Sequence, residues 1–507
     1  MPTVHIFVGQ CGNQLGPTFL DVLATEAQSS GDEAYQMLVS DDHFRRHPAP
    51  LATPRPCVEL ASLPQPRCVM VDMEPKVMER AIARVNGRVS DPPSSSLSSS
   101  SPPRYWLSPQ QCVSRGEGSG NNWAFGYHHQ GRSRREALAE SLRREAEVCE
   151  AGVGLLHVVH SAAGGTGSGV GCLVGEVARE LFPRAALTHT VVWPFTHGEV
   201  VPQGLNLTLC LATLRELVDG AFLAFNDVLG EDLRRAQGDP ASAPATATDG
   251  VSFEALNTRI GRLLAPLFLP HGLYEIPRPM RDLGKHRIAE SPAAKELRAR
   301  AGDAPRRLRS AGYADVLEGL CLDPARKFFT GVQLPPERIV GHPSPTTWSS
   351  VLLEAARRVD EAFTGPGGFP SSSSFFPSGA PFAMGSRSCV WALRGYDVRR
   401  EGLRELQDLM ASRLPGGFPL TTLLVSPHER NDAAWYARAD HEVSLYGHTP
   451  VIPRALAEAL RKVEDHLRVG AFLHHFERFG VEKATIEEAT MKLWDTVAAY
   501  DASLVHS

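Results

Sequence analysis

The chain has 507 residues, too many for one hydrophobic core and suited to two or three domains. With 42% hydrophobic and 21% charged residues, its composition is that of a globular protein rather than a disordered or fibrous one. The net charge of −5, from 52 basic and 57 acidic residues, gives no basic excess of the kind that nucleic-acid binding uses.

The N-terminal run MPTVHIFVGQCGNQ has neither the basic region nor the apolar stretch of a secretory leader. Val4, Ile6 and Val8 alternate, which predicts a first strand, and Leu15, Phe19 and Val22 recur at helical spacing directly after it. Gly9-Gln10-Cys11-Gly12-Asn13-Gln14 stands at that junction. Its glycines permit a tight turn, and Gln10 and Gln14 project amides from the first helical turn, although the same residues suit an ordinary polar helix start. Residues 68–72 (CVMVD) read as a short buried strand that ends in Asp72-Met73-Glu74-Pro75. Two carboxylates there would hold Mg2+ beside a triphosphate, usually through water, or simply begin a helix. Residues 90–103, 238–250 and 365–385 are rich in Ser, Pro, Ala or Gly and are expected to be surface loops.

Residues 118–124 (GSGNNWA) combine small residues with amides able to reach a phosphate. Residues 154–160 (GLLHVVH) form another predicted strand, which runs into SAAGGTGSGVG at 161–171 and then a helix over 172–181. A glycine-rich turn between strand and helix lets backbone N–H groups approach an anion, and the helix N-terminus favours negative charge. The turn is neither a GxxxxGK[ST] loop nor a GxGxxG loop, and a flexible Gly/Ser turn is the plain alternative. Residues 187–193 supply a further strand, and the βαβα succession predicts a parallel sheet with helices on both faces and a ligand outside the strand carboxyl ends. Near the C-terminus, Leu456, Leu460, Val463 and Leu467 mark one helix. Thr485 and Glu488 are read as a capping box for a second helix carrying Ile486, Leu493, Val497 and Tyr500. The nine cysteines are scattered without a CxxC pair, which fits a reducing compartment. No HExxH or GxSxG occurs, and no apolar run reaches the length of a membrane span.

GQCGNQ, VDMEP, GSGNNWAFG and GGTGSG, in this order, resemble the nucleotide-contacting loops of the tubulin superfamily, and AFLHHF at 471–476 resembles its C-terminal helix segment. Leu393-Arg394-Gly395 is similar to the strand preceding those helices. The wording VDMEPKV, GSGNNWAFGY and AFLHHFERFGVE, with Ala163 where tubulins usually carry a glycine, resembles the delta branch, and the epsilon branch is the nearest competitor. The resemblance implies a tubulin-type α/β fold. It consists of a GTP-binding parallel-sheet domain at 1–252, a mixed α/β intermediate domain at 253–449 that opens with a core helix, and C-terminal helices at 450–507.

By the same resemblance, Gln10, Cys11 and Gln14 contact the nucleotide and Asp72 and Glu74 support Mg2+. Asn121, Ser161, Gly164, Gly165, Thr166 and Gly167 cradle the phosphates of GTP or GDP. Asn226 and Asn257 would read guanine and ribose, with Phe253 stacking on the base, although its spacing alone suits a core aromatic. Gln203-Gly204-Leu205-Asn206 departs from the usual Glu-Pro-Tyr-Asn and so lacks the Glu that contacts ribose. Asp282 is the match to the acidic residue that a neighbouring subunit donates in trans for slow, assembly-activated hydrolysis; a surface carboxylate without a role is the alternative. The implied role is in centriole or basal-body microtubules and cilium or flagellum formation. Its implied partners are alpha/beta and epsilon tubulins and microtubule ends, with no nucleic acid and no membrane, and its implied location is the cytoplasmic cytoskeleton. The chain stops at His506-Ser507 without a long acidic tail, which is expected to weaken motor recruitment. A nucleotide-regulated scaffold without turnover is the second reading, and a dinucleotide-dependent oxidoreductase is disfavoured by the missing GxGxxG.

Overall fold

The computed structural model describes residues 2–29, 32–45, 63–87, 104–149, 151–196, 202–236, 251–275, 306–334, 347–363, 389–395, 397–413, 420–425 and 441–501. The expected loops at 90–103, 238–250 and 365–385, and also Asp282, lie outside the described residues.

In chain order the first part builds β1 (Thr3–Val8), α1 (Gly9–Ser29), α2 (Glu33–His43), the short pair β2 (Phe44–Arg45) and β3 (Gln65–Pro66), β4 (Cys68–Val71), α3 (Lys76–Val85), β5 (Cys112–Val113) and α4 (Arg135–Glu147). There follow β6 (Leu155–Ser161), α5 (Gly171–Leu181), β7 (Ala186–Trp193), α6 (Gln203–Leu217), β8 (Gly220–Phe225) and α7 (Asn226–Ala236). The second part opens with α8 (Phe253–Phe268) and continues through β9 (His271–Glu275), β10 (Arg306–Ala311), β11 (Phe328–Leu334), β12 (Cys389–Gly395), β13 (Leu420–Val425) and β14 (His441–Gly447).

Strands β5, β4, β1, β6, β7, β8 and β11 lie side by side in that order, all parallel. Beyond β11 the sheet becomes mixed, continuing as β14, β12, β13, β9 and β10 to make twelve strands. Every residue of β1 and β4 is buried, as parallel strands covered on both faces must be. The chain departs from β1 toward β4 and β5 on one side and comes back as β6, β7 and β8 on the other. The order therefore reverses at β1, and a crevice opens outside the carboxyl ends of β1 and β6.

Helix α8 is capped by Ser252, whose side chain accepts from the Ala255 N–H at 3.1 Å, and it is largely buried from Leu256 onward. It presses on α1 at Gly261, where a Cβ would stand 3.4 Å from the Phe19 backbone. A buried ion pair, Arg394 to Glu26 at 2.7 Å, joins β12 to the far end of α1. The C-terminal helices Val451–Val469 and Lys483–Tyr500 bury Leu456, Leu460, Val463, Leu467, Ile486, Leu493 and Val497, the residues their spacing singles out, in one core with α6. Two expectations need correction. The last helix starts earlier than a Thr485 cap requires: Glu482 is its N-cap and Thr485 lies inside the first turn, because the chain emerges from the preceding turn at Gly480, φ +84°. The strand containing Leu393-Arg394-Gly395 does not lead directly into the C-terminal helices, since a helix (Leu403–Arg413), β13 and β14 intervene.

Five fully buried histidines thread the parallel strands. His5 on β1 meets His157 on β6 through their Nδ1 atoms at 3.0 Å and meets His43 at 3.1 Å. His43 continues to the Phe268 carbonyl at the end of α8 at 3.1 Å, and His157 to the Thr190 hydroxyl at 2.8 Å. His160 and His189 pair across β6 and β7 at 2.9 Å. Desolvation holds all five imidazoles below their usual pKa, His157 at about 3 and His160 at about 4. Among the described residues, no helix is long and apolar enough to cross a membrane.

Candidate functional site

Four loops converge on the crevice at the strand carboxyl ends. The first follows β1, where Gly9 adopts φ +72° and turns the chain directly into α1. A Cβ on Gly9 would stand 3.0 Å from the Gly167 nitrogen, so the two glycine-rich turns touch backbone to backbone at the switch point. Gln10 and Gln14 are exposed on the first turns of α1. Cys11 lies between them, partly exposed, and burial of its thiol pushes the pKa up to about 12, which leaves it a neutral, non-nucleophilic side chain.

The second loop follows β4. Asp72 is 4% exposed, and desolvation raises its carboxyl to about 6. Its Oδ1 accepts from the Glu74 N–H at 3.3 Å. Glu74 is exposed and lies against the third loop, where a Cβ on Gly118 would fall 2.3 Å from its Oε1. The Gly116 N–H bonds the Met73 carbonyl at 2.8 Å, which ties the second loop to the third. The two carboxyls stand at the same rim as the glycine turns, and a hydrated divalent cation beside them would offset the desolvation of Asp72.

The third loop turns at Asn121, a non-glycine residue at φ +50°, and runs into the π-helical turn Phe125–Gly131. The fourth follows β6. Ser161 accepts from the Ala163 N–H at 3.1 Å, and the chain winds through the π-helical turn Thr166–Val170 into α5. Ser119 and Thr166 hydroxyls bond each other at 2.8 Å across the third and fourth loops. Most of the glycines in these loops are required by neighbouring backbone. A Cβ on Gly12 would stand 2.3 Å from the Val159 carbonyl oxygen, on Gly165 2.6 Å from the Asn122 nitrogen, and on Gly167 2.7 Å from the Ser161 oxygen. Gly164 alone of the cradle glycines has room beside it, with only the Asn121 Oδ1 near, at 3.6 Å. The open face of the cradle is thus at Gly164 and Asn121, beside N–H groups at a helix start, where an anion is favoured.

Two buried asparagine amides hold the loops in place. Asn13 donates to the carbonyls of Gly9 at 2.9 Å and Val71 at 3.0 Å, tying the start of α1 to the end of β4. Asn206, in α6, donates to the carbonyls of Asn121 and Ala163, both at 2.8 Å, and accepts from the Trp123 N–H at 2.8 Å. One side chain therefore fixes the third loop to the fourth. Gln203 starts α6 and donates to the Phe195 carbonyl at 3.2 Å, which commits its side chain to the loop after β7.

At the other end of the crevice, Asn226 is buried at the first turn of α7, directly after β8. Phe253 opens α8 and is 61% exposed, which contradicts the core-aromatic alternative. Its ring meets the edge of the buried Phe195, centroids 6.4 Å apart. Asn257 follows one turn later on α8, partly exposed. An exposed aromatic face with amides beside it suits a planar base. The loops carrying Gln10, Asp72, Ser161 and Asn226 thus leave the carboxyl ends of β1, β4, β6 and β8, and Phe253 touches Phe195 in the loop after β7. Asn13, Ser119, Asn122 and Asn206 stand in the quoted motifs, but only the structure gives them their holding roles.

Comparison with known proteins bears on this arrangement. Residues 2–233 match the family model described as Tubulin/FtsZ family, GTPase domain. The tubulin delta chain of Macaca fascicularis is 24% identical over 515 aligned positions that cover 99% of each chain. The tubulin delta chain of Homo sapiens is 28% identical over 313 residues, covering 59% of this chain and 61% of its own length. A tubulin beta chain of Porphyra purpurea is 33% identical over 227 residues, 45% of this chain and 44% of its own length. A parallel sheet whose glycine-rich turns meet at the switch point, a match of residues 2–233 to the Tubulin/FtsZ family GTPase domain and a full-length likeness to a tubulin delta chain agree on one fold, a GTPase domain of the tubulin type over residues 2–233 within a chain similar throughout to a tubulin delta chain.

Proposed function

We propose that the chain is a GTP-binding tubulin of the delta type that assembles or stabilises microtubules of the centriole or basal body and so supports cilium or flagellum formation. The observation that carries the nucleotide part is the junction of the Gly9 and Gly167 turns beside the open face at Gly164 and Asn121. The cellular role rests on the full-length likeness to one tubulin delta chain.

In this reading Gln10, Cys11, Gln14, Asn121, Ser161, Gly164, Gly165, Thr166 and Gly167 surround the phosphates, and Asn226, Phe253 and Asn257 take the guanosine. Asp72 and Glu74 would hold Mg2+ through water, where the ion neutralises phosphate charge. Residues 1–252, 253–449 and 450–507 act as the GTP-binding, intermediate and C-terminal parts. Asp282 reaches the nucleotide of a neighbouring molecule, so hydrolysis depends on assembly. The partners are other tubulins, alpha/beta and epsilon, and microtubule ends, in the cytoplasmic cytoskeleton.

Phe253→Ala is expected to weaken GTP and GDP binding about 10- to 100-fold, the usual range for losing one base stack. Asn257→Ala is expected to erase the preference for GTP over ATP with a smaller loss of affinity. Titration of the purified variants by calorimetry checks both. Wild-type affinity in Phe253→Ala, with selectivity intact in Asn257→Ala, would sink the assignment of this end of the crevice.

A further inference from the structure

Asn122 follows Asn121 in the third loop and is 6% exposed. Its Oδ1 accepts from the Phe125 N–H at 3.0 Å, which caps the π-helical turn. Its backbone N–H closes the loop onto the Ser119 carbonyl at 3.1 Å. Its Nδ2 leaves the nucleotide site altogether and donates to the His475 carbonyl at 3.0 Å, 353 residues away in sequence. His475 lies in the short C-terminal helix Leu473–Glu477, entered through Phe472 at φ +62°. The same junction is packed by rings: Phe125 meets Phe479 with centroids 4.5 Å apart, and His129 meets Phe479 at 5.2 Å. Leu473 and Phe476 anchor the turn in the core, whereas His474, His475, Glu477 and Arg478 are exposed.

We infer that Asn122 is a positioning residue that makes the C-terminal turn 472–481 a working part of the nucleotide site. The inference rests on the nucleotide reading above. The third loop is held on its inner side by Asn206 and on its outer side by Asn122, so the place of Asn121 over Gly164 depends on both. Filling the cradle fixes the third loop, and the bond to His475 passes that restraint to the turn. Linkage makes the effect reciprocal: whatever holds the exposed face of the turn alters nucleotide affinity by the same factor.

Asn122→Asp separates this role from simple capping. The carboxylate still accepts from the Phe125 N–H, but it cannot donate to the His475 carbonyl. Phe479→Ala loosens the same junction without touching the loop. The readouts are GTP affinity and hydrogen exchange of the amides of residues 472–481 with and without GTP. In the wild type, GTP is expected to slow exchange across 472–481. In Asn122→Asp that protection is expected to vanish and affinity to fall about tenfold, with Phe479→Ala in between. Two outcomes overturn the inference: GTP bound by the wild type without any change at 472–481, or Asn122→Asp binding and protecting as the wild type does. Should Asn122→Asp fail to fold, the wild type and Phe479→Ala decide by the same criteria. A wild type that binds no GTP at all overturns the nucleotide reading and this inference together.

Discussion

Acidification from about pH 7.5 to about pH 5 is expected to destabilise the protein, and the buried histidines are the cause. His5, His43, His157, His160 and His189 are held neutral by burial, with folded pKa values below the unfolded value of roughly 6.5. The unfolded chain therefore binds more protons than the folded one below that value. Stability is complete above it and falls as the pH drops toward the folded values, about 4 for His160 and about 3 for His157. At a pH 1.5 units below the unfolded pKa, His157 and His160 each remove about 2 kcal/mol, and the other three act in the same direction, against the roughly 5–15 kcal/mol of a typical domain. Protonation also breaks the chain itself, because the His5–His157 contact needs one ring nitrogen as donor and the other as acceptor.

Three carboxyls act in the opposite sense. Burial raises Asp72 to about 6 and Glu145 to about 7, and a third carboxyl, Asp21, is likewise raised by burial to about 6, so all three favour the folded state as the pH falls and offset part of the imidazole effect. Asp42 softens the effect at His43 only. Thermal melts followed by tryptophan fluorescence across this pH range check the balance. A melting temperature that stays flat down to about pH 5 would show that the histidine chain is not neutral in the folded state.

Asn206→Ala is expected to destabilise the protein by about 2–5 kcal/mol, since it removes three hydrogen bonds and leaves the buried Trp123 N–H without its acceptor. The loss should fall on function even more than on stability. Without that amide the third and fourth loops are no longer fixed to each other, and nucleotide affinity is expected to drop about 100-fold. Asn206→Asp is the sharper variant. It keeps the acceptor for the Trp123 N–H but sets a carboxylate against the carbonyls of Asn121 and Ala163, so it should be no better than alanine. Denaturant unfolding together with GTP titration measures both effects. Wild-type midpoints and affinities in both variants would remove Asn206 from its place at the centre of the site.

The strand-turn-helix rhythm was legible because buried parallel strands and glycine turns leave strong local marks, and β1, β4, β6 and β7 fall where apolar runs predict them. The glycines of the first, third and fourth loops were legible as a cradle but not for the reason that governs several of them. Gly12 yields to a carbonyl of β6, Gly165 to a backbone nitrogen of the third loop and Gly167 to the Ser161 carbonyl at the start of its own loop, packing demands that no single-chain pattern displays. The holding asparagines were hidden for a similar cause. Asn13 and Asn206 look like polar surface residues in sequence, yet both are fully buried with their donors spent on carbonyls from distant segments. The histidine chain was illegible because its partners come from β1, α2, β6, β7 and the end of α8, and LLHVVH reads as well for a plain apolar strand. The Phe253 ring was ambiguous by spacing, and its exposure at the start of α8 removes the core alternative.

The most direct test of the account is to denature the freshly purified protein, separate the released small molecules by anion exchange, and measure guanine and adenine nucleotides per chain. The account predicts GTP or GDP close to one per chain and no adenine nucleotide. Protein that is folded by its melting curve, carries no guanine nucleotide and takes up none from solution would contradict it.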